Sequence, residues 1–249
     1  MKKTLEIREC TTLDELSECL NLQREVFDLP EVELSPVRHF VVTKNAGGFT
    51  LGAYEGDRLA GYVLSVPAFM RGERAFYSHM TGVRKEFQSS GVGQRLKWAQ
   101  RERALAEGVK YIKWTFEPVK ARNGYFNLEK LGAIVSEYQR NFYGTDYAVL
   151  PESGKQIGLQ SDRLFAEWHL ESDKVKTLAA AGQWVELRTP EAEIEIINDW
   201  NSLAENDPQA GLELQLRIRE QFEAEIARGL FAGGFVRDDE HPRYLLFSK

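Results

Sequence analysis

The sequence has little of what marks several large classes of protein. Only two of its 249 residues are cysteines, Cys10 and Cys19. Their spacing matches no metal-ligand pattern and is too sparse for a disulfide framework. The four histidines are scattered along the chain, so the sequence predicts no metal site.

Long apolar runs and excess positive charge are also lacking. No continuous apolar stretch is long enough to cross a bilayer, and Glu6 stands where a secretory signal would need an apolar run. The net charge of −6 argues against a nucleic-acid partner. We therefore expect a cytoplasmic globular protein that binds neither membranes nor nucleic acid.

Hydrophobic periodicity predicts an N-terminal half in which strands and helices alternate. A capping box, Thr12 with Glu15, marks the start of a helix after an opening strand over residues 4–8, and Pro36 starts a second helix. Two strands, 49–54 and 59–66, form a predicted hairpin, and Pro67 is expected to end the second of them. The following strand, 75–83, is expected to alternate its side chains between two faces. Further predicted elements are a helix at 92–107, a strand at 109–116, a helix at 121–131, and strands at 133–138 and 163–170.

The pattern changes beyond Asp173. Two helices, about 191–203 and 212–227, are predicted before a hairpin over 234–247. We therefore expect two domains, 1–172 and a C-terminal extension over 173–249. The sequence leaves three roles open for the extension: covering the sheet, forming a lid, or making a homodimer contact.

The segment from Gln88 to Gly93 follows a predicted strand and opens a predicted helix. Helix N-termini leave backbone N–H groups unpaired and carry partial positive charge, so they suit phosphates. Glycine at 91 and 93 lets the backbone approach an anion closely. Four basic residues lie nearby in sequence, namely Arg84, Lys85, Arg95 and Lys97. The alternative is that the glycines only shape a tight turn.

Two other phosphate-binding loops do not fit this segment. A dinucleotide-binding loop needs a third glycine, and Leu96 stands at that position. A nucleotide-hydrolase loop needs a Gly-Lys-Ser or Gly-Lys-Thr ending, which is absent.

The pattern Gln-x-x-Gly-x-Gly between a strand and a helix resembles the signature of the GNAT acyltransferase superfamily. The order of the preceding elements and the later segment Glu129-Lys130-Leu131-Gly132 are similar to that family as well. The resemblance covers roughly residues 4–170, and the longer pattern resembles a GNAT subfamily with a C-terminal extension. It implies an α+β fold with α/β/α layers. The central sheet would be mostly antiparallel, with one splayed pair of parallel strands.

The resemblance also implies how the chain would bind acetyl-CoA or another acyl-CoA, with no metal. The pantetheine would lie between strands 75–83 and 109–116, and the pyrophosphate on the amides of the loop. The implied cofactor-binding residues are Met80, Thr81, Val83, Gln88, Ser89, Ser90, Gly91, Val92, Gly93 and Asn127.

The catalytic residues follow less directly, because Leu128 stands where many family members have a tyrosine that acts as the acid. Tyr125, about a turn earlier, Tyr138 and Tyr143 are candidate acids, and we favour Tyr143 because loops at strand ends commonly carry function. Glu117 ends a predicted strand and is a candidate general base or an anchor for the substrate ammonium. The alternatives are packed tyrosines and a solvated glutamate.

The implied reaction is direct attack of an amine on the thioester of acyl-CoA. We expect an N-acyltransferase that moves an acetyl or succinyl group to a small-molecule amine such as an amino acid. The alternative is a catalytically silent acyl-CoA-binding or interaction module.

Overall fold

The computed structural model describes residues 5–27, 29–145 and 158–248, which fall into two compact units, 1–113 and 114–249. The division falls inside a strand, Tyr111–Phe116. Each unit combines strands with helices.

The first unit begins with five strands in the order β1-β2-β3-β4-β5. Neighbours are antiparallel except for β4 and β5, which are parallel. The strands are β1 Leu5–Glu9, β2 Phe49–Glu55, β3 Arg58–Met70, β4 Glu73–Val83 and β5 Tyr111–Phe116. The helices are α1 Leu13–Val26, α2 Val37–Asn45 and α3 Val92–Ala106.

Two helices cover one face of this sheet and the third covers the other. The predicted capping box starts α1, with Thr12 and Glu15 bonding each other's backbone N–H groups. Both α1 and α2 bury apolar side chains against Tyr62 and Leu64 of β3. Neighbouring residues of a strand point to opposite faces, so Gly61 faces α3, where a Cβ would lie 3.2 Å from Leu96 Cδ1.

The prediction that Pro67 ends β3 was wrong. The strand continues to Met70, and Pro67 is registered with Phe76 of β4. The pairing of β3 with β2 stops at Ser65, opposite Phe49. At Pro67 the strand is therefore an edge strand on that side, where a missing N–H costs no ladder hydrogen bond.

Strand β4 also departs from the simple alternation that its sequence predicts. It pairs with β3 through Leu64–Met80 and then through Ser65–Ser78, so His79 is an extra residue, a β-bulge. The bulge changes which residues share a face. On one side of it Ser78 contacts α3, and on the other side Met80 faces the core beneath α1 and α2.

The second unit contains strands in the order β7-β6-β9-β10-β8, all antiparallel to their neighbours where the pairs are described. They are β6 Ile134–Gln139, β7 Arg163–His169, β8 Ala192–Glu195, β9 Phe231–Val236 and β10 Arg243–Phe247. The helices are α4 Ala121–Tyr125, α5 Asp173–Ala181, α6 Trp200–Asn206 and α7 Pro208–Ala227. A π-helical turn, Phe126–Lys130, continues from α4, so the predicted helix over 121–131 changes its hydrogen-bond period midway.

The C-terminal residues 173–248 differ in part from the prediction. The hairpin β9–β10 is present, but 192–195 is a strand paired with β10 rather than the start of a helix, and α5 was not predicted. Alternating apolar residues in Ala192–Glu195 agree with the strand. The predicted domain boundary after residue 172 stays a prediction. Within the second unit, Phe222 of α7 packs on Tyr138 of β6 and Tyr244 of β10.

Mixed helices and sheet, mostly antiparallel pairing and one parallel strand pair are the fold class that the sequence predicts. In the part of the chain that the structure describes, no helix combines the length and the apolar composition needed to cross a membrane.

Candidate acyl-CoA loop and catalytic residues

The predicted anion-binding loop lies where the sequence places it, between β4 and α3 of the first unit. Gly91 is the N-cap of α3 and has φ 87°, in the left-handed region where a Cβ is strained. Ser89 also has a positive φ, 61°. The side chain of Gln88 donates to the Val83 carbonyl oxygen at 3.0 Å, and Ser90 Oγ donates to the Phe87 carbonyl oxygen at 2.5 Å. These bonds tie the loop to the end of β4 through side chains, and the Gln88 backbone N–H donates to the Lys85 carbonyl oxygen at 3.2 Å.

The N-terminus of α3 has the electrostatic character of an anion site. Its first turn contains no acidic residue, and Arg95 N donates to the Gly91 carbonyl oxygen at 3.0 Å. The N–H groups before Arg95 belong to the first turn, which has no helical acceptors of its own. At Gly93 a Cβ would lie 3.6 Å from Val83 Cγ2, an ordinary contact. Gly93 is therefore not required by the packing of the fold.

The nearby basic residues do not act as the sequence suggests. Arg84 is buried, donates to the Leu59 carbonyl oxygen at 2.6 Å and forms an ion pair with Glu25. Arg95 reaches the Leu5 carbonyl oxygen at 2.8 Å. Lys97 is buried, with Nζ 2.9 Å from Ser78 Oγ, and burial lowers its pKa well below the ordinary value. The positive potential at the loop thus comes mainly from the backbone of α3, with the exposed Lys85 beside it.

The end of β4 has the geometry that the predicted cofactor site requires. Its parallel ladder with β5 contains the pairs Phe76–Ile112 and Tyr77–Lys113. Beyond them β4 continues to Val83 and pairs with β3, so its other edge presents backbone N–H and C=O groups within the first unit. The predicted residues Met80, Thr81 and Val83 lie on this stretch. Met80 Sδ accepts a hydrogen bond from the Tyr62 hydroxyl at 3.4 Å.

Two histidines meet beside this stretch, an arrangement that the sequence did not predict. His79 at the bulge and His39 of α2 have ring centroids 5.3 Å apart. His79 Nε2 lies 3.0 Å from Ser35 Oγ. Burial, together with His39, lowers the pKa of His79 to about 4, so its ring is neutral at pH 7. No local pattern links residues 40 positions apart, and only the packing of α2 on β4 shows the pair.

The second unit holds the other predicted site residues. Glu117 forms an ion pair with Lys120 at 2.7 Å, and Arg163 Nη1 lies 3.7 Å from its other oxygen. Arg163 also lies over the ring of Tyr143, 5.1 Å from the centroid. The Tyr143 hydroxyl is 3.3 Å from Thr115 Oγ1, and 39% of the residue is exposed. The fold thus brings Glu117 and Tyr143 together on the two sides of one guanidinium.

Tyr138 has a different environment. Its hydroxyl donates to Asp162 Oδ2 at 2.5 Å, and Arg219 of α7 makes two 2.9 Å hydrogen bonds to the same carboxylate. Burial and the Asp162 bond raise the pKa of Tyr138 above its ordinary value. These bonds hold its proton within a buried network.

Asn127 is also engaged inside the second unit. It lies in the π-helical turn, is buried, and its Oδ1 accepts a hydrogen bond from Trp114 Nε1 at 3.2 Å. Leu128, which replaces the tyrosine common in the resembling family, is fully buried. Among the described residues, no group of three or more His, Cys, Asp or Glu side chains could hold a metal ion.

Comparison with known families gives one match. Residues 12–133 match the profile described as "Acetyltransferase (GNAT) family". This stretch includes the loop at 88–93, the bulge in β4 and the segment ending at Gly132. No curated protein matches the chain significantly.

Solved structures resemble the fold at low sequence identity. A protein assigned to the GNAT acetyltransferases from Desulfovibrio desulfuricans has a TM-score of 0.55 and 15% identity, over 67% of this chain and 99% of that one. A GNAT family acetyltransferase from Elizabethkingia anophelis with acetyl-CoA bound has a TM-score of 0.50 and 16% identity, over 68% and 100%. The ribosomal-protein-S18-alanine N-acetyltransferase from Escherichia coli has a TM-score of 0.51 and 13% identity, over 66% and 93%. These likenesses confirm the predicted fold.

Proposed function

We propose that this chain, whose residues 12–133 belong to the acetyltransferase (GNAT) family, transfers an acyl group from acyl-coenzyme A to the amine of a small molecule such as an amino acid. The observation that carries the proposal is the loop between β4 and α3. Its left-handed Gly91 and its acid-free helix start suit a pyrophosphate, and no dinucleotide or nucleotide-hydrolase pattern competes for it.

The residues at the loop fit the co-substrate. The Gln88 amide of the predicted loop donates to Lys85, so the amides from Ser89 to Gly93 are the proposed donors to the pyrophosphate. The edge of β4 away from β3 at Met80, Thr81 and Val83 would bond the pantetheine amides. Coenzyme A supplies the activated thioester. Backbone N–H groups near the bulge at His79 are the candidate donors to the developing oxyanion.

Glu117 is proposed to anchor the ammonium of the acceptor or to take its proton. An alkyl amine is protonated at neutral pH and must lose a proton before it attacks. The ion pairs with Lys120 and Arg163 show that this carboxylate lies where it can contact a cation, which supports the role of anchor. In Glu117→Gln we expect KM for the amine to rise at least tenfold. An unchanged KM together with an unchanged pH–rate profile would reject both roles.

Tyr143 is the proposed acid that protonates the departing thiolate. Its hydroxyl is partly exposed, whereas the Tyr138 hydroxyl proton is held by Asp162. Tyr143→Phe is expected to lower kcat about 10²-fold or more with little change in KM, since general acid catalysis contributes this much. If Tyr143→Phe has the wild-type kcat, the acid lies elsewhere.

Asn127 is also a proposed cofactor-binding residue, but only part of its side chain is proposed to contact the ligand. Its carboxamide oxygen accepts from Trp114, so its side-chain NH₂ group is the part that could reach a ligand. Asn127→Asp keeps the acceptor and removes the donor. A weaker affinity for acyl-CoA in this variant would support the role, and an unchanged affinity would remove it.

The acyl group and the acceptor are tested together. Acetyl-CoA is bound in the Elizabethkingia structure, which supports acetyl as the first choice. The E. coli enzyme is named for an alanine of a ribosomal protein, so a peptide N-terminus belongs in the acceptor panel beside free amino acids. Thiol release would be measured with acetyl-CoA and succinyl-CoA against each acceptor. Turnover with peptides but not with free amines would contradict the small-molecule proposal.

The alternative function is that of a catalytically silent acyl-CoA-binding module, and the same experiment distinguishes it from an enzyme. A rise in melting temperature with acyl-CoA, but no thiol release with any acceptor, would favour this alternative. No rise with any acyl-CoA would contradict the binding proposal itself. A homodimer and a cytoplasmic location stay predictions, which sedimentation and fractionation would test.

A further inference from the structure

The second unit contains a cavity that is lined by residues that the proposed reaction does not use. It has a volume of about 190 Å³. Residues from the start of β6, from α5, from the segment after α5 and from β9 line it, among them Ile134, Lys174, Trp184, Arg188 and Phe231. The walls therefore combine apolar and aromatic side chains with two cationic ones.

Hydrogen-bond donors at this cavity outnumber the acceptors that the described residues offer them. Lys174 Nζ donates to the Gly233 carbonyl oxygen at 2.7 Å, which uses one of its three N–H bonds. Trp184 Nε1 is buried and has no hydrogen-bond partner among the described residues. Buried donors in folded proteins are nearly always paired, so Trp184 Nε1 indicates a missing acceptor.

Two cations, Lys174 and Arg188, and two carboxylates, Glu186 and Glu129, lie at or beside the cavity. The Glu186 carboxylate accepts two 2.9 Å bonds from the Arg188 guanidinium, and that guanidinium holds the pKa of Glu186 down at about 2. Trp184 lies near the same carboxylate and favours its ionised form without forming a hydrogen bond. The second acidic neighbour of Lys174 is Glu129, whose Oε1 accepts from Phe235 N at 2.8 Å. Both carboxylates have partners of their own, and among the residues that the structure describes none of opposite charge makes a hydrogen bond to the Lys174 amine.

We propose that this cavity binds a small monocarboxylate with an apolar body, about the size of benzoate. The carboxylate would accept from Lys174 Nζ and Trp184 Nε1, and the body would lie against Phe231 and Ile134. An engineered cavity of about 150 Å³ in another protein holds benzene, so this volume fits a ring bearing one carboxylate. Burial lowers the pKa of Lys174, and a bound carboxylate favours its charged form.

The test is isothermal titration of the full chain with benzoate and hexanoate, with benzyl alcohol and inorganic phosphate as comparison ligands. Benzyl alcohol has the apolar body without the charge, and phosphate has the charge without the body. We expect saturable binding of at least one carboxylate, about tenfold or more tighter than either comparison ligand. Acyl-CoA takes no part in the measurement, so failure of the proposed acyl transfer would leave this result unaffected.

The chain offers a matched control for the key residue. Lys174 and Lys176 both lie on α5, but Lys176 is exposed. Lys174→Met is expected to weaken carboxylate binding at least tenfold, and Lys176→Met to leave it unchanged. Trp184→Phe keeps an aromatic wall and removes the N–H, so it tests the second donor even if Lys174→Met fails to fold.

Three results would overturn the proposal. They are the absence of saturable binding of both carboxylates up to about 10 mM, phosphate binding that is as tight as carboxylate binding and is weakened equally by Lys174→Met, and folded Lys174 and Trp184 variants that retain the wild-type affinity.

Discussion

Replacing Gly93 with glutamate should raise the stability of the protein and at the same time lower its affinity for acyl-CoA. Gly93 is the second helical residue, and a Cβ there meets Val83 Cγ2 at an ordinary 3.6 Å. A carboxylate in the first turn complements the helix dipole, a gain of about 0.3–1 kcal/mol. Replacing a helical glycine adds roughly 0.5 kcal/mol or more. We therefore expect Gly93→Glu to be more stable than wild type by about 1 kcal/mol.

The same carboxylate should repel the pyrophosphate of acyl-CoA. At a separation of about 6 Å and an effective dielectric constant of roughly 40–80, each unit of negative charge costs about 0.7–1.4 kcal/mol. Two such charges cost about 1.4–2.8 kcal/mol, which is roughly a 10- to 100-fold loss of affinity. The variant should thus melt at a higher temperature and bind acyl-CoA more weakly.

Ala106→Glu provides the control, because Ala106 is exposed at the opposite end of α3. It adds the same charge about 20 Å away, roughly two Debye lengths at 0.1 M salt. There the carboxylate opposes the helix dipole, so stability should fall by a few tenths of a kcal/mol while affinity stays at the wild-type value. Urea unfolding and titration with acetyl-CoA measure both quantities for each variant.

The outcome that refutes this reasoning is equal affinity in the two variants. It would mean that the pyrophosphate does not lie at the N-terminus of α3. A fall in the stability of Gly93→Glu would instead contradict the assignment of Gly93 to an unstrained first turn.

Three further predictions concern the buried polar groups. Tyr138→Phe should lower the free energy of unfolding by about 1.5–3 kcal/mol through loss of the bond to Asp162, and leave the rate of thiol release unchanged. In the folded protein the pKa of His79 is depressed to about 4, so this residue makes its full contribution to stability above pH 6.5. As the pH falls below 6.5 the contribution is lost, because the unfolded state takes up a proton there and the folded state does not. Urea unfolding should show about 2 kcal/mol less stability at pH 5 than at pH 7 from this residue, a difference that His79→Asn removes. Arg219→Ala leaves the buried Asp162 carboxylate without its cation and should cost about 3–5 kcal/mol in urea unfolding, whereas loss of the exposed ion pair in Arg140→Ala should leave the stability nearly unchanged.

Several elements could be predicted because their causes are local. The capping box at Thr12 and Glu15 starts α1 by satisfying neighbouring backbone N–H groups, and residues three apart are enough to do so. The left-handed Gly91 before α3 follows equally from the residues beside it. The resemblance over the same stretch agrees with the family match at 12–133 and with the fold of the solved structures.

Other features were missed because they depend on distant partners. Pro67 lies inside β3, since the neighbouring strand ends before reaching it. Ala192–Glu195 is a strand because β10, some fifty residues later, pairs with it. Arg84 faces Glu25 rather than the loop, since the packing of α1 brings that carboxylate within reach.

The catalytic candidates also combine positions that the sequence shows with environments that only the fold shows. Glu117, Tyr138 and Tyr143 were selected for their places at strand ends, and a place at a strand end does not distinguish the environments of the two tyrosines. Their hydroxyls differ in the fold, one held by Asp162 and the other near Thr115.

The sequence by itself determined the turn before α3, where we propose that the pyrophosphate binds, and the order of most elements in the N-terminal half. Backbone conformation, capping and short-range periodicity depend on neighbouring residues. Tertiary structure alone decided the ionic partners of Arg84, the pairing of His39 with His79 and the donors that meet around Lys174. These depend on which surfaces pack together, and burial then sets the strength of each charge and hydrogen bond.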